Sequence, residues 1–249
     1  MSEQFEVEGW GEYVMSWHRP HRKLEPLADE IDVIDRSLDA LVGLGLLPHA
    51  HYDRARFAAH RRAVRERFDI PWTAISPRMQ RLLYAINAIA APSVMVAVGI
   101  FCGNTFISNA GAAIGPGAVY EADRLVGLEI RPAEADRARR NVATLDHNGV
   151  TVDILGVDGG PWLAGFQGTI DLLYLDADGP AGRGKSIYLD LLESGLHALK
   201  SGSLVLAHNA VNAARQLSDY LDFVRTSERF VESATMVVDD QGLEVSKVR

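Results

Sequence analysis

The chain has little of what marks secreted or disulfide-linked proteins. Its 249 residues include one cysteine, Cys102, so no intrachain disulfide can form. This scarcity favours a reducing compartment. The opening segment, MSEQFEVEGW, is acidic and has no apolar run, unlike a signal peptide. We therefore expect a cytoplasmic protein.

Positive charge is also in short supply. The 25 Lys and Arg residues face 33 Asp and Glu residues, which gives a formal net charge of -8. Such a chain lacks the positive field that captures nucleic acid or an anionic membrane. Its hydrophobic fraction of 47% is typical of globular proteins. We expect a small-molecule partner, with no nucleic acid and no membrane.

One stretch without charge, Leu82 to Phe101, is long enough to span a membrane. Polar and helix-breaking residues interrupt it, and they are Asn87, Pro92, Ser93 and Gly99. The pattern instead predicts a helix that ends near Ala91, a turn at Pro92 and a buried strand. A continuous apolar run is typical of a parallel strand that is covered on both faces.

The part before residue 90 shows helical spacing and no strand pattern. Apolar residues recur at helical intervals between Leu24 and Leu47, and a second helix is predicted from about Tyr52 to Phe68. We interpret residues 1–70 as a helical N-terminal arm or cap and residues 71–249 as the main domain. A helical arm makes a homodimer a reasonable expectation.

After residue 90 strands and helices alternate, which predicts a parallel sheet with right-handed crossovers. The fold class is therefore α/β, with a Rossmann-like doubly wound sheet, a C-terminal antiparallel hairpin and an α-helical N-terminal extension. The predicted strands are Val94–Val98, Leu125–Ile130, Thr151–Leu155, Ile170–Asp176, Ser203–Ala207, Phe230–Val238 and Leu243–Val248. The predicted helices cover about 105–114, 132–145, 185–199 and 211–225.

A glycine-containing turn follows the first of these strands. It runs from Gly99 through Phe101, Cys102 and Gly103 to Thr105. Glycine lets the backbone turn sharply and approach a ligand, and the next helix presents free N–H groups. The same turn also occurs as an ordinary strand-to-helix connection.

Acidic residues follow the next two strands. Glu129 stands where doubly wound sheets place an acid that accepts hydrogen bonds from ribose hydroxyls. Asp158 follows the third strand and could reach an adenine amino group. Each acid has a plain structural alternative, as a surface carboxylate at a strand end or as a turn residue.

Polar residues end the following two strands. Asp176 and Asp178 follow one strand, and His208 and Asn209 follow the next. Because ligands of open α/β sheets bind at this carboxyl edge, we expect Asp176, His208 and Asn209 to surround one point. Carboxylates suit a divalent cation, although helix capping or solvation of the sheet edge would also explain each residue alone.

These segments together resemble catechol O-methyltransferase and the related bacterial O-methyltransferases that use S-adenosylmethionine (SAM). Gly99, Phe101, Cys102, Gly103 and Thr105 fit the family's G-x-Y-C-G-x-S turn. Further matches are Glu129 to the ribose-binding acid, Asp176 to a metal-binding Asp, Asn209 to the Asn of an A-D-N segment and Asp240–Glu244 to a D-G-L-E hairpin. The resemblance covers about residues 75–249.

The resemblance implies transfer of a methyl group from SAM to a hydroxyl of a small-molecule acceptor. It implies a divalent metal that lowers the hydroxyl pKa and a lysine that takes the proton. The implied cofactor-binding residues are Gly99, Phe101, Gly103, Thr105, Glu129, Asp158 and Asp176. The implied metal ligands are Asp176, His208 and Asn209.

The sequence departs from the family pattern in four respects. Ala97 and Val98 replace the acid near the glycine turn, and Thr235 stands near the position of a late substrate-binding acid. His208 replaces a metal-binding Asp, and imidazole favours softer metals than Mg²⁺. The expected lysine is displaced by an insertion to Lys185, which keeps the family's K-x-x-Y spacing.

The departures leave three hypotheses for proton removal open. His208 could act as the base, since histidine ordinarily titrates at about 6.5; a metal on Asp176, His208 and Asn209 could do so; or Lys185 could. The wider alternatives are a non-catalytic SAM-binding protein and an NAD(P)-dependent oxidoreductase.

Two features of the N-terminal part stay outside this scheme. Six arginines make one predicted helix basic, and they are Arg54, Arg56, Arg61, Arg62, Arg65 and Arg67. We interpret them as a solvated or subunit-facing surface rather than as a site for RNA or an acidic partner. Trp10 and Trp17 could line an acceptor site or a dimer interface, and the sequence does not choose.

Overall fold

The protein, described here by a computed structural model for residues 3–249, is built on one eight-stranded sheet. The strands are β1 Glu3–Glu6, β2 Val94–Val98, β3 Arg124–Leu128, β4 Thr151–Leu155, β5 Ile170–Leu175, β6 Leu199–His208, β7 Phe230–Val237 and β8 Leu243–Val248. The helices are α1 Leu27–Gly43, α2 Arg54–Arg67, α3 Pro77–Ala90, α4 Asn104–Ala110, α5 Pro132–Val142, α6 Gly159–Gly165, α7 Tyr188–Gly195 and α8 Ser218–Thr226.

The strand order is β1-β7-β8-β6-β5-β2-β3-β4. All neighbouring pairs are parallel except those made by β8, which runs antiparallel to both β6 and β7. The order reverses where β2 lies between β3 and β5, and this switch point opens a crevice at the carboxyl ends of the strands. The predicted fold class, including the terminal hairpin, is confirmed.

The uncharged stretch Leu82 to Phe101 divides into a helix, a turn and a strand, as its polar and helix-breaking residues predict. Ser76 caps α3 by accepting a hydrogen bond from the Met79 N–H at 3.0 Å, and Pro77 takes the first turn. The helix stops at Ala91, which has a left-handed φ of 45°. Pro92 then leads into β2, whose last four residues are buried. Among residues 3–249, no helix combines the length and apolar character needed to cross a bilayer.

Two apolar clusters cover the two faces of the sheet. One contains residues of α1, α2 and α3 together with the β2 side chains Met95 and Ala97. The other packs α7 and α8 against Val96 and Val98, the alternate residues of the same strand. This alternation is the period-two pattern of a strand that is buried on both faces.

The absence of strands before residue 90 was a wrong prediction. β1 pairs in parallel with β7, from Glu3 opposite Ala234 to Glu6 opposite Val237. The first residues therefore extend the edge of the main sheet. The boundary at residue 70 between an arm and a domain stays a prediction.

Other differences concern lengths. β6 starts at Leu199 rather than Ser203, and α8 starts at Ser218 rather than near residue 211. The short helix α6 was not predicted, because its sequence, GGPWLAG, is rich in glycine and contains a proline. β3 and β5 stop one or two residues early, so Ile130 and Asp176 lie just beyond their strands.

Candidate functional site

A cavity of about 380 Å³ lies at the switch point of the sheet. It is lined by residues that follow β2, β3, β4, β5 and β6, and by Trp17, Trp72 and Lys185. Its volume falls within the range of about 300–1,000 Å³ that is usual for small-molecule sites. Of the predicted site residues, Gly99, Phe101, Thr105, Glu129, Asp158, Asp176, Lys185 and Asn209 line it.

The glycine turn forms one wall of this cavity. Gly99 has a φ of +84°, and a Cβ atom there would lie 2.4 Å from the backbone nitrogen of Ala177. Only glycine therefore lets the turn approach the end of β5 so closely. Gly103 does not line the cavity; a Cβ on it would lie 3.2 Å from Ala138, so it serves the packing of the turn against α5.

Glu129 is buried at the side of the cavity next to the turn. One carboxylate oxygen accepts a hydrogen bond from the Phe101 N–H at 2.7 Å. The other accepts bonds from the Arg131 N–H at 3.1 Å and from Arg131 Nε at 2.9 Å. A carboxylate has about four acceptor positions, so capacity remains for a ligand hydroxyl.

Phe101 joins the turn to an aromatic wall. Its φ is +49°, which is unusual for a residue with a side chain and is fixed here by the bond to Glu129. Its ring lies 4.6 Å, centre to centre, from that of Trp72, which lies 6.0 Å from that of Trp17. The Thr73 N–H donates to the Trp17 carbonyl at 2.9 Å, so backbone pairing fixes the arm beside the cavity.

Trp17 therefore lies at the cavity, one of the two places that the sequence left open. Trp72 was missed, because it stands alone after Pro71 and has no periodic pattern around it. Gln241, on the β7–β8 turn, was also missed as a lining residue. Its place in the D-G-L-E-like hairpin, shortly before Glu244, was the only signal.

Asp158 and Thr105 have structural roles in addition to lining the cavity. Asp158 is exposed and caps α6 by accepting a bond from the Gly160 N–H at 3.0 Å. Thr105 is buried in the first turn of α4. The capping alternative for Asp158 is thus realised, and its position beside the cavity is compatible with a ligand contact as well.

Three titratable side chains, those of Lys185, Asp176 and His208, meet beyond the end of β5, and the exposed Asp178 lies beside them. Lys185 Nζ lies 2.9 Å from Asp176 Oδ1, 3.0 Å from the Asp176 carbonyl and 3.6 Å from Asp178 Oδ1. His208 Nδ1 lies 3.3 Å from the same Asp176 Oδ1. Burial would raise the pKa of Asp176, but Lys185 and His208 together hold the pKa below its ordinary value.

His208 is fully buried and does not line the cavity. Among the described residues, neither of its ring nitrogens has a hydrogen-bond partner, although Nδ1 is close to Asp176. An imidazole so placed contacts Asp176 but cannot touch an acceptor in the cavity directly. The structure thus brings His208, Asp176 and Lys185 together, with Asp176 in the middle.

Asn209 turns its amide nitrogen toward the hairpin. Nδ2 donates to Gln241 Oε1 at 2.6 Å and to Asn212 Oδ1 at 3.0 Å. Among the side chains described, those of residues 4–249, no group of three or more His, Cys, Asp or Glu is arranged to hold a metal ion. With the Lys185 ammonium bound to Asp176, these residues as arranged do not fit a divalent cation, because the carboxylate is already neutralised.

The late position near Thr235 does not belong to this cavity. Thr235 Oγ1 contacts Glu244 Oε2 at 2.5 Å, and Arg225 binds both Glu244 carboxylate oxygens. Glu244 itself is fully buried. Glu244 of the D-G-L-E-like segment is therefore part of a buried ion pair with Arg225 and not a ligand group.

Comparison with solved structures identifies proteins that have a similar fold. The chain is similar to an SAH-bound methyltransferase from Podospora anserina, with 14% identity, a TM-score of 0.61 and coverage of 92% of this chain and 99% of that one. It is similar to an O-methyltransferase from Bacillus cereus in complex with SAH, with 16% identity, a TM-score of 0.57 and coverage of 80% and 92%. No protein-family model and no curated relative matches the chain.

A third similar structure is the O-methyltransferase TomG from Streptomyces achromogenes in complex with SAM, with 18% identity and a TM-score of 0.55. The match covers 80% of this chain and 91% of that one. At these identities the likeness establishes the fold. The chain has the Rossmann-like fold found in these methyltransferases.

Proposed function

We propose that the protein is a SAM-dependent O-methyltransferase that transfers a methyl group to a hydroxyl of a small-molecule acceptor. The observation that carries the proposal is one cavity at the switch point that joins the Gly99 turn and Glu129 to the Lys185–Asp176 pair. The first two groups suit an adenosyl ligand, and the second two suit a reacting hydroxyl. Solved methyltransferases with the same fold support it.

The proposed SAM-binding residues are Gly99, Phe101, Thr105, Glu129 and Asp158, with Gly103 supporting the turn. The residues present fit an adenosyl ligand in two ways. Gly99 lets the turn lie directly against the end of β5 at the wall of the cavity, and the buried Glu129 carboxylate retains an acceptor position for a ribose hydroxyl. Trp72 and Phe101 offer apolar surface beside them.

For the reaction we propose separate roles for the three titratable residues. SAM, when bound, supplies an electrophilic methyl group and leaves as S-adenosylhomocysteine. The Lys185 ammonium stabilises negative charge on the acceptor oxygen. The Asp176 carboxylate takes the hydroxyl proton, and His208 Nδ1, 3.3 Å from Asp176 Oδ1, holds that carboxylate in place from the buried side.

The ammonium in this scheme fills the electrostatic role that a metal has in the family that the sequence resembles. Methyl transfer in excess chelator, compared with transfer after metal is added back, tests the point. Full activity in chelator is expected. Strict dependence on added metal would return Asp176, His208 and Asn209 to the role of metal ligands and contradict the scheme.

The decisive experiment has two stages. Calorimetry should give a binding signal for SAM and S-adenosylhomocysteine and none for NAD(H), which would exclude the oxidoreductase. A methyl-transfer screen over catechols, phenols and sugars should then give at least one methylated product. SAM binding without any product would leave the non-catalytic alternative.

We further propose a cytoplasmic homodimer. The buried, unpaired Cys102 agrees with a reducing compartment. Val14 in the arm and Val231 on β7 are large apolar side chains that are 68% and 55% exposed, and a dimer would cover such surface. Light scattering on the purified chain measures the mass in solution, and a monomer at all concentrations would contradict the dimer.

A further inference from the structure

A second cavity, of about 580 Å³, lies in the N-terminal part and shares no lining residue with the site at the sheet. It is enclosed by the loop of residues 20–25 and by α1, α2 and α3. Its volume is again that of a small-molecule site. Nothing in the proposed methyl transfer uses it.

The lining of this cavity is basic although the chain as a whole is acidic. Seven Lys and Arg side chains and two Glu side chains line it, a formal charge of +5 in a chain of -8. Arg54, Arg61 and Arg65 contribute because their spacing along α2 puts them on one helical face. Part of the arginine-rich helix thus faces a cavity, which differs from the solvated surface that the sequence suggested.

Both acidic side chains of the lining are already neutralised. Glu30 is buried between Arg61 at 2.7 Å and Arg81 at 2.6 Å. Glu25 binds Arg78 at 2.6 Å. Arg54 binds Asp35, which lies outside the lining. These pairs leave four cations of the lining without an internal counterion.

Four further cations stand at the cavity: Arg22, Lys23, Arg62 and Arg65. All are exposed, and none of them makes an ion pair with a side chain of residues 4–249. Nearby, burial and then the Arg65 guanidinium lower the pKa of His21, as a positive surrounding does. Converging like charges of this kind attract an anion.

Apolar groups form much of the remaining lining. Phe57 is buried beneath the cavity, and the guanidinium carbons of Arg61 and Arg81 lie 4.5 and 4.4 Å from its ring centre. Ile31 and Ala58 lie beside it. The cavity therefore offers apolar contact next to positive charge, which suits a molecule that has both an apolar body and an anionic group.

We propose that this cavity binds a small amphipathic anion, with a carboxylate or phosphate group held by Arg62 and Arg65 and an apolar chain lying against Ile31 and Ala58. A carboxylate could come from an acyl chain and a phosphate from a phosphorylated lipid or alcohol. The two sources share the recognition chemistry, so the probes must separate them.

Calorimetry on the full chain tests the proposal with four probes that share a ten-carbon chain, each kept below its micelle concentration. Decanoate or decyl phosphate, or both, should bind with one site per chain, and the tighter of the two identifies the head group. Decanol and decyltrimethylammonium should bind at least tenfold more weakly. Decanol binding as tightly as the anions would overturn the requirement for negative charge.

The double variant Arg62→Gln/Arg65→Gln should weaken anion binding about tenfold or more, since it removes two charged donors. Its control, Arg140→Gln/Arg215→Gln, removes the same charge from two arginines that lie outside the cavity. Equal weakening in both variants would show general attraction by net charge and overturn the proposal.

Ala58→Trp should abolish binding by filling the cavity, while thermal unfolding reports whether the variant still folds. No heat with either anion in the wild type would overturn the proposal, as would binding of an acidic peptide alone. None of these results depends on methyl transfer, so this proposal and the proposed activity can fail independently.

Discussion

Replacing Gly99 with alanine is the sharpest test of the proposed SAM site. Gly99 combines a left-handed φ of +84° with a close approach to β5. An alanine there meets two penalties, one from the backbone conformation and one from the contact. The chain provides a matched control in Gly149, which has a φ of +82° and where a Cβ atom would meet no other atom within 4 Å.

The two penalties can be estimated separately. A side chain in the left-handed region costs about 1–2 kcal/mol in the free energy of unfolding. At Gly99 the Cβ would also stand 2.4 Å from the Ala177 nitrogen, so backbone must move. Overpacking of this kind costs about 1–3 kcal/mol. Gly149→Ala should therefore lose about 1–2 kcal/mol and Gly99→Ala about 2–5 kcal/mol.

The displacement of backbone at Gly99 should also damage ligand binding. We expect the Kd for SAM to rise at least about tenfold in Gly99→Ala, or about 1.4 kcal/mol, and to stay unchanged in Gly149→Ala. Denaturant unfolding gives the stabilities, and calorimetry on the folded fraction gives Kd. Equal stability losses in the two variants, with SAM binding intact in both, would refute the reasoning.

Further predictions concern Lys185, Glu129, His60 and Ser76. Lys185→Met should lower kcat about 10²–10³-fold with the SAM Kd unchanged in calorimetry, because it removes charge stabilisation at the acceptor oxygen; an unchanged kcat would exclude the role. Glu129→Gln should weaken SAM binding at least about tenfold by calorimetry, since a charged hydrogen-bond acceptor is lost; an unaltered Kd would move the ribose elsewhere. Burial, and then Arg61, lower the pKa of His60 to about 3 in the folded state. The unfolded chain binds this proton below about pH 6.5, so stability should fall by about 1.4 kcal/mol per pH unit from there toward pH 3. Denaturant titrations across that range should show a shallower slope in His60→Gln, and an identical slope would exclude His60 as the cause. Ser76→Ala should cost about 1–3 kcal/mol of unfolding free energy, because it removes both the α3 cap and the hydrogen bond that the Ser76 hydroxyl donates to the buried Asp239, and no change in denaturant midpoint would contradict these roles.

The proposal that a lysine takes the electrostatic place of a metal depends on where Lys185 and His208 lie. The position of Lys185 depends on the insertion Gly179–Gly184, whose ends are joined by the bond from the Gly179 N–H to the Gly184 carbonyl at 2.8 Å. The insertion closes on itself and returns the chain to the end of β5. Lys185, although displaced in the sequence, therefore still reaches the Asp176 carboxylate.

The sequence by itself determined the local secondary structure and the turns. The apolar run of β2, the cap and proline of α3, and the glycines of the turn each act within a few residues, because backbone conformation and periodicity are local properties. Once the strands are parallel, their carboxyl ends share one edge, so the approach of Glu129, Asp176 and Asn209 to one cavity could also be predicted.

The tertiary structure alone decided which groups touch. The pairing of β1 with β7 joins opposite ends of the chain. The sequence of a short polar strand does not indicate which other strand it will pair with. The stacking of Trp72 on Phe101 and the burial of His208 behind Asp176 depend in the same way on distant segments. The cationic cavity needs three helices and a loop at once. Contacts of this kind arise from burial and packing across the whole chain, and local pattern does not encode them.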